Sequence, residues 1–207
     1  MLDYHVKIGL VPLRRDCSPR PGAFNWEIAE ERGRGLVKYI EEHYGTENIS
    51  FADLKGVIDV ETFYAEEDVE KVAAHMKAEK VDAMLFINAN FGCEEAAAAL
   101  AQEMNVPVLL WAPLDERFDA DGMRYTDSQC GIFGISRQFQ RYNLPFSFLN
   151  SCRVDSKKFA EGFDSFARTA CMVKNFRGMR IGEVGMRPKI FCSVIFNEGE
   201  LMQKFGV

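Results

Sequence analysis

The sequence has no apolar run near the roughly 18 to 20 residues that a membrane helix requires, so it offers no membrane span. Its first residues, Met1-Leu2-Asp3-Tyr4-His5, carry neither a basic flank nor an apolar core, so no secretory signal is legible there. No block of basic residues occurs, and 25 Lys and Arg stand against 31 Asp and Glu for a net charge of −6, a poor match to nucleic acid or anionic lipid. The six cysteines (17, 93, 130, 152, 171 and 192) form no C-x-x-C pair, and the three histidines (5, 43 and 75) are equally scattered, so no zinc constellation can be written. With 207 residues the chain has enough length for an apolar core without disulfides, and the thiols read as free, mostly core-filling and suited to the cytoplasm. No Gly-x-Gly-x-x-Gly or P-loop follows the first strand, so a nucleotide site lacks its motif.

What is present is a regular alternation. Residues 5–11 form a β-branched run closed by Pro12, which predicts a buried strand, and the breaker-rich stretch 13–22 predicts a loop. Helical spacing over 24–44 predicts a helix closed by Gly45, with Gly33 and Gly35 weakening its middle. Further strands are predicted at 56–60, 82–87, 106–111, 145–149 and 179–184, and further helices after 66–68 and at 94–104, 130–142, 156–176 and 198–205. Strands alternating with helices of this length imply βαβ units on a parallel sheet covered on both faces. Ligands in such sheets sit beyond the carboxyl ends of the strands, which makes 12–22, 88–93, 112–129 and 185–189 the functional edge. The long 156–176 helix predicts a crossover, after which 180–185 opens a fresh strand and glycine turn without enough chain to complete a second sheet. The expected division is an N-terminal domain at 1–155, a crossover helix at 156–178 and the incomplete beginning of a second α/β domain at 179–207, as in a truncated, split or excerpted protein.

Several residues at that edge have chemistry to offer. Arg14 and Arg15 suit a carboxylate, a phosphate or sugar hydroxyls, against the plainer reading of a solvated basic loop. Asn90 and Gly92 sit at a strand-to-helix turn, and Phe91 offers either a flat face for sugar C–H groups or a core side chain. Cys93 at a helix start would have a lowered pKa, opposed by Glu94 and Glu95. Asp127 or Ser128 suits a helix cap, whereas Gln129 both donates and accepts and fits a polyol. Asn197, Glu198 and Glu200 supply oxygen donors but no histidine, a weak metal set.

Together, Lys7-Ile8-Gly9-Leu10-Val11-Pro12-Leu13-Arg14-Arg15-Asp16, Asn90-Phe91-Gly92-Cys93-Glu94-Glu95, Asp127-Ser128-Gln129-Cys130-Gly131 and Asn150-Ser151-Cys152-Arg153-Val154-Asp155 resemble the L-fucose isomerase-like proteins, relatives of the L-fucose and L-arabinose isomerases. The tail segments Arg180-Ile181-Gly182-Glu183-Val184-Gly185-Met186-Arg187-Pro188 and Asn197-Glu198-Gly199-Glu200-Leu201 extend the resemblance in the same order. The resemblance implies a flavodoxin-like (Rossmann-like) N-terminal domain of a three-domain aldose–ketose isomerase. It implies a divalent metal, manganese or alternatively magnesium, held by later domains that also supply the acid–base groups. It further implies a homo-oligomer, a trimer or hexamer, in which the N-terminal domain covers the sugar in a neighbouring subunit's active site. Phe91 then matches the aromatic that stacks on the sugar, Gln129 a polar contact, Arg14 or Arg15 the first-strand loop, and Met186 an apolar contact in the second domain. No catalytic or metal-binding residue and no cofactor is expected in this chain, so its activity alone stays open. The alternatives are a non-catalytic sugar-binding or scaffold protein and, more remotely, a thiol enzyme using Cys93 with Cys17.

Overall fold

The structure, a computed structural model, describes residues 2–15, 25–115, 122, 124–185 and 196–207. Five strands, β1 (Val6–Leu13), β2 (Ile49–Ala52), β3 (Ala83–Asn88), β4 (Val108–Pro113) and β5 (Ser147–Cys152), form one sheet in the order 2-1-3-4-5. Every pairing is parallel, with Ile8 opposite Ala83 and Leu85 opposite Leu109 in the central strands. The helices are α1 (Trp26–Tyr44), α2 (Val69–Ala78), α3 (Glu94–Met104), α4 (Ser128–Arg141), α5 (Lys157–Phe176) and α6 (Glu198–Phe205), with a 3₁₀ turn at Glu66–Asp68 leading into α2.

The strands alternate between two cores, because successive side chains leave a strand on opposite faces. Val11, Met84, Phe86, Val108 and Leu110 pack with Val72 and Met76 of α2, Leu100 of α3 and Phe139 of α4. Ile8, Leu10, Leu85, Ile87 and Trp111 pack with Val37 and Ile40 of α1 and with Phe159, Phe163 and Phe166 of α5. Both faces of the sheet are thus covered, which is the doubly wound arrangement with flavodoxin-like strand order. The burial of a large apolar side chain contributes about 1.5–3 kcal/mol, so the three phenylalanines of α5 make this helix a structural part of the same sheet. Gly33, a helix weakener by propensity, has a reason to be there: a Cβ on it would lie 3.0 Å from Pro12 Cβ, so glycine lets α1 lie close on β1.

Two expected strands differ. Residues 56–60 form turns, with Gly56 at φ +72°, and the strand beside β1 is instead the short run Ile49–Ala52. Ile58 is buried from a turn, which a short apolar run cannot reveal by periodicity alone. Residues 179–184 form no strand: Ile181 and Val184 are exposed, and no described strand pairs with them. Gly45 ends α1 in an extended conformation (φ −66°, ψ 134°) rather than a left-handed one. No described helix is long and apolar enough to cross a membrane.

Candidate functional site at the carboxyl edge of the sheet

β1 pairs with β2 on one side and β3 on the other, so the winding of the sheet reverses here and opens a crevice at the carboxyl ends of the strands. β3 leaves this edge through Asn88-Ala89-Asn90-Phe91-Gly92. The buried Asn90 organises the turn, its Oδ1 accepting from the backbone N–H groups of Arg15 (2.9 Å), Phe91 and Gly92 (3.4 Å). Its carbonyl accepts from the N–H of Asp127 (2.9 Å), which ties the turn to the start of α4. Gly92 is required at φ +82°, where a Cβ would also lie 2.5 Å from Asn88 Oδ1. Gly131 is required more strictly still, because a Cβ there would lie 1.6 Å from the carbonyl oxygen of Phe91. The first turn of α4 and the Phe91 backbone are therefore in direct contact.

Behind this corner lies a polar hub that the sequence did not disclose. Arg32, in the middle of α1, donates through Nη1 to Ala89 O, Asp115 Oδ1 and Ser128 Oγ (3.0 Å each) and through Nη2 to Leu114 O (2.7 Å). The single hydroxyl proton of Ser128 has Asn88 O and Asp115 Oδ1 at 2.9 Å and Asn90 O at 3.3 Å as alternative acceptors. Asp115 Oδ2 accepts from the Ser128 N–H at 2.8 Å and so performs the capping expected of Asp127 or Ser128. Asp127 makes no side-chain cap bond and instead pairs with Arg124 at 2.7 Å. A charge on a helix flanked by Glu30, Glu31 and Arg34 reads as a solvated face, and the Arg32–Asp115 pair spans 83 positions, so spacing gave no signal.

The predicted contacts divide between this edge and elsewhere. Phe91 is half-buried, with the Arg15 guanidinium 4.4 Å above its ring centroid. Gln129 is half-buried one residue into α4, and its Oε1 is buried without accepting a hydrogen bond. Arg14 is not the solvated residue of the plainer reading: it is 2% exposed, with its guanidinium 4.0 Å from the Trp26 ring and 3.5 Å from the Tyr64 ring. Such desolvated cation–ring contacts contribute about 2 kcal/mol each. Arg15 instead lines a groove of about 650 Å³ shared with Tyr64, Glu66, Glu67, Gly92 and Glu94. Met186 and Cys17 lie outside the described residues.

Cys93 does not gain a low pKa from the start of α3. Burial pushes its thiol up to about 12, against the lowering effect of backbone hydrogen bonds, and its Sγ lies 3.6 Å from Phe63 O. Burial therefore works against a nucleophilic thiolate there at neutral pH. At the far end of the chain, Asn197 caps α6 through the Glu200 N–H (3.1 Å), and Glu200 pairs with Lys204. Among the described residues, no group of three or more His, Cys, Asp or Glu side chains is placed to hold a metal ion, so these residues do not fit the implied metal.

A doubly wound parallel sheet with a polar, glycine-dependent corner at its switch point defines a ligand-edge α/β domain of the flavodoxin-like type. Residues 9–177 match the model of the fucose/sulfoquinovose isomerase N-terminal domain, and the chain belongs to that family. The matched span runs from within β1 to the residue after α5 and so contains β2 to β5 whole and β1 from Gly9 onward. No curated protein matches the chain.

Proposed function

We propose that this chain is the sugar-facing and subunit-joining part of a cytoplasmic, metal-dependent aldose–ketose isomerase. Its carboxyl edge would cover a sugar held in a neighbouring subunit. The observation that carries this reading is the corner at which Phe91 and the first turn of α4, with Gln129 in it, are locked together through Gly131 and the Asp127–Asn90 bond. A flat ring and a side-chain amide carried on adjoining turns suit a polyol, which offers apolar C–H faces and hydroxyl groups together. Arg15 adds donors at the groove, and Met186 would add an apolar contact from the segment that follows. Aldose–ketose isomerisation moves a proton between the first two sugar carbons through an enediol, and a rigid cover over that centre excludes water while the proton is in transit. The groups that polarise the oxygens and move the proton are assigned to residues outside this chain.

Binding of L-fucose by the chain assembled with the later domains of the isomerase, followed by saturation-transfer NMR, tests the reading. Phe91→Ala and Gln129→Met should each weaken binding by about tenfold, or about 1.4 kcal/mol. Unchanged affinity in Phe91→Ala, with the fold intact by circular dichroism, would remove the stacking role.

A further inference from the structure

We infer that Arg14 is a positioning residue, which sets the backbone of Arg15 and the ring of Tyr64 at the groove without meeting the ligand itself. The inference rests on the sugar-facing reading of that groove. Arg14 is almost wholly buried, its Nε donates no hydrogen bond, and the nearest carboxylate oxygen, Glu30 Oε1, is 3.6 Å from Nε. A buried cation so incompletely satisfied is weak as a stabilising device, since a well-packed apolar side chain would avoid its desolvation. The planar guanidinium does two things that an apolar chain cannot. Its faces hold Trp26, at the start of α1, and Tyr64, on the connection that leads to α2. Trp26 Nε1 makes no hydrogen bond of its own, so packing and the cation fix that ring. In the plane of the group, Nη1 donates to the carbonyl of Arg15 at 3.2 Å.

Arg15 is thereby gripped at both ends of its backbone. Arg14 holds its carbonyl, and Asn90 Oδ1, the same atom that binds the Phe91 and Gly92 amides, accepts from its N–H. The outcome of that double grip is the Arg15 guanidinium over Phe91. Tyr64 is fixed in parallel, because Phe63 donates to Pro12 O (2.8 Å) and the Arg14 N–H donates to Phe63 O (3.2 Å), placing the ring beside the cation. Arg14 therefore connects three sequence-distant segments, and two of them, through Arg15 and Tyr64, line one groove.

A double-mutant cycle tests this. Arg14→Lys keeps a cation near Glu30 but loses the planar stack and the bond to the Arg15 carbonyl. Arg14→Lys and Arg15→Ala should each weaken L-fucose binding by about fivefold, and the double variant should bind no more weakly than Arg15→Ala alone, the signature of residues acting as one unit. In the absence of sugar, Arg14→Lys should shift the amide resonances of Arg15, Phe91 and Gly92. Wild-type affinity in Arg14→Lys, or losses that multiply in the double variant, would overturn the inference. Should Arg14→Lys fail to fold, Tyr64→Leu, which removes one ring at the half-exposed rim, carries the same cycle and the same amide shifts. An assembly of the wild-type chain with the later domains that does not bind L-fucose defeats the sugar-facing reading, and the ligand-free amide shifts then still decide whether Arg14 positions Arg15.

Discussion

The two ends of the same sheet are built on opposite plans. At the carboxyl edge, Arg32, Asp115, Ser128, Asn88 and Asn90 form one buried or half-buried hydrogen-bond network, and two glycines admit backbone where no side chain would fit. At the amino edge, Lys174 reaches Asp3 (2.8 Å), Asp82 (3.0 Å) and His5 O (2.8 Å), beside an apolar groove with Leu2, Tyr4, Met172, Phe176 and Phe205 on its walls. The first edge holds its atoms in one connected buried network; the second ties down the segment around Asp3 through the Lys174 ammonium and the Asn175 amide. Precision is concentrated where a ligand would be read, as expected when polar groups must be pre-placed for recognition. That contrast predicts unequal sensitivity to mutation.

The sharpest way to break it is at a single hydrogen. Gly131→Ala would place a methyl group within bonding range of the Phe91 carbonyl, so α4 or the 90–92 turn must move. The expected loss is about 3 kcal/mol or more in denaturant unfolding, at the upper end for overpacking. Gly182→Ala, where a Cβ meets nothing within 4 Å, should stay within about 0.5 kcal/mol of wild type. Equal unfolding midpoints for the two variants would show that the corner is not the rigid element described above.

Next in size is the hub. Ser128→Ala removes one of the three acceptors around the two protons of Arg32 Nη1, and it removes the hydroxyl donor to the carbonyls of Asn88 and Asn90. Leaving buried partners unmatched costs about 1–3 kcal/mol, which urea unfolding would register as a lower midpoint at unchanged slope. A variant as stable as wild type would mean that water or a neighbouring group replaces the hydroxyl without loss.

How much of this could be read beforehand follows from the range of each interaction. α3 was legible because four alanines behind two glutamates favour a helix locally, and β3 because its run of five apolar residues, Ala83 to Ile87, suits a strand buried on both faces. β2 was missed because Ile-Ser-Phe-Ala is a weaker pattern than Gly56-Val57-Ile58-Asp59-Val60, and only pairing with β1 selects it. Asn90, Phe91 and Gln129 were legible as candidates from their position at strand and loop exits. Arg32, Asp115, Trp26 and Tyr64 were not, because their partners are brought together by the sheet and not by spacing. The inward turn of Arg14 was hidden for the same reason: two adjacent arginines look alike until the rings that receive one of them are in place.

The smallest effect belongs to the amino edge and can be read through titration. The hydrogen bond from Lys174, followed by that from the His5 N–H, holds the Asp3 carboxyl below its usual 3.8. Burial works to lower the Lys174 pKa, but its bonds to Asp3 and Asp82 outweigh that and hold the ammonium above 10.5. A depressed carboxylate contributes stability that is fully present above the unfolded value and is lost as pH falls through the folded one. The raised lysine contributes below 10.5 and loses its contribution as pH rises through its folded value. The tether thus acts between those limits and slackens outside them. In Lys174→Met, an NMR titration should show the Asp3 midpoint moving up toward 3.8 while the amides of Phe91 and Gly92 stay unshifted. An Asp3 midpoint indifferent to the substitution would place the cause of its depression elsewhere. Movement of the Phe91 amide would show that the two edges are coupled through the sheet, and the contrast between them would then be one of degree.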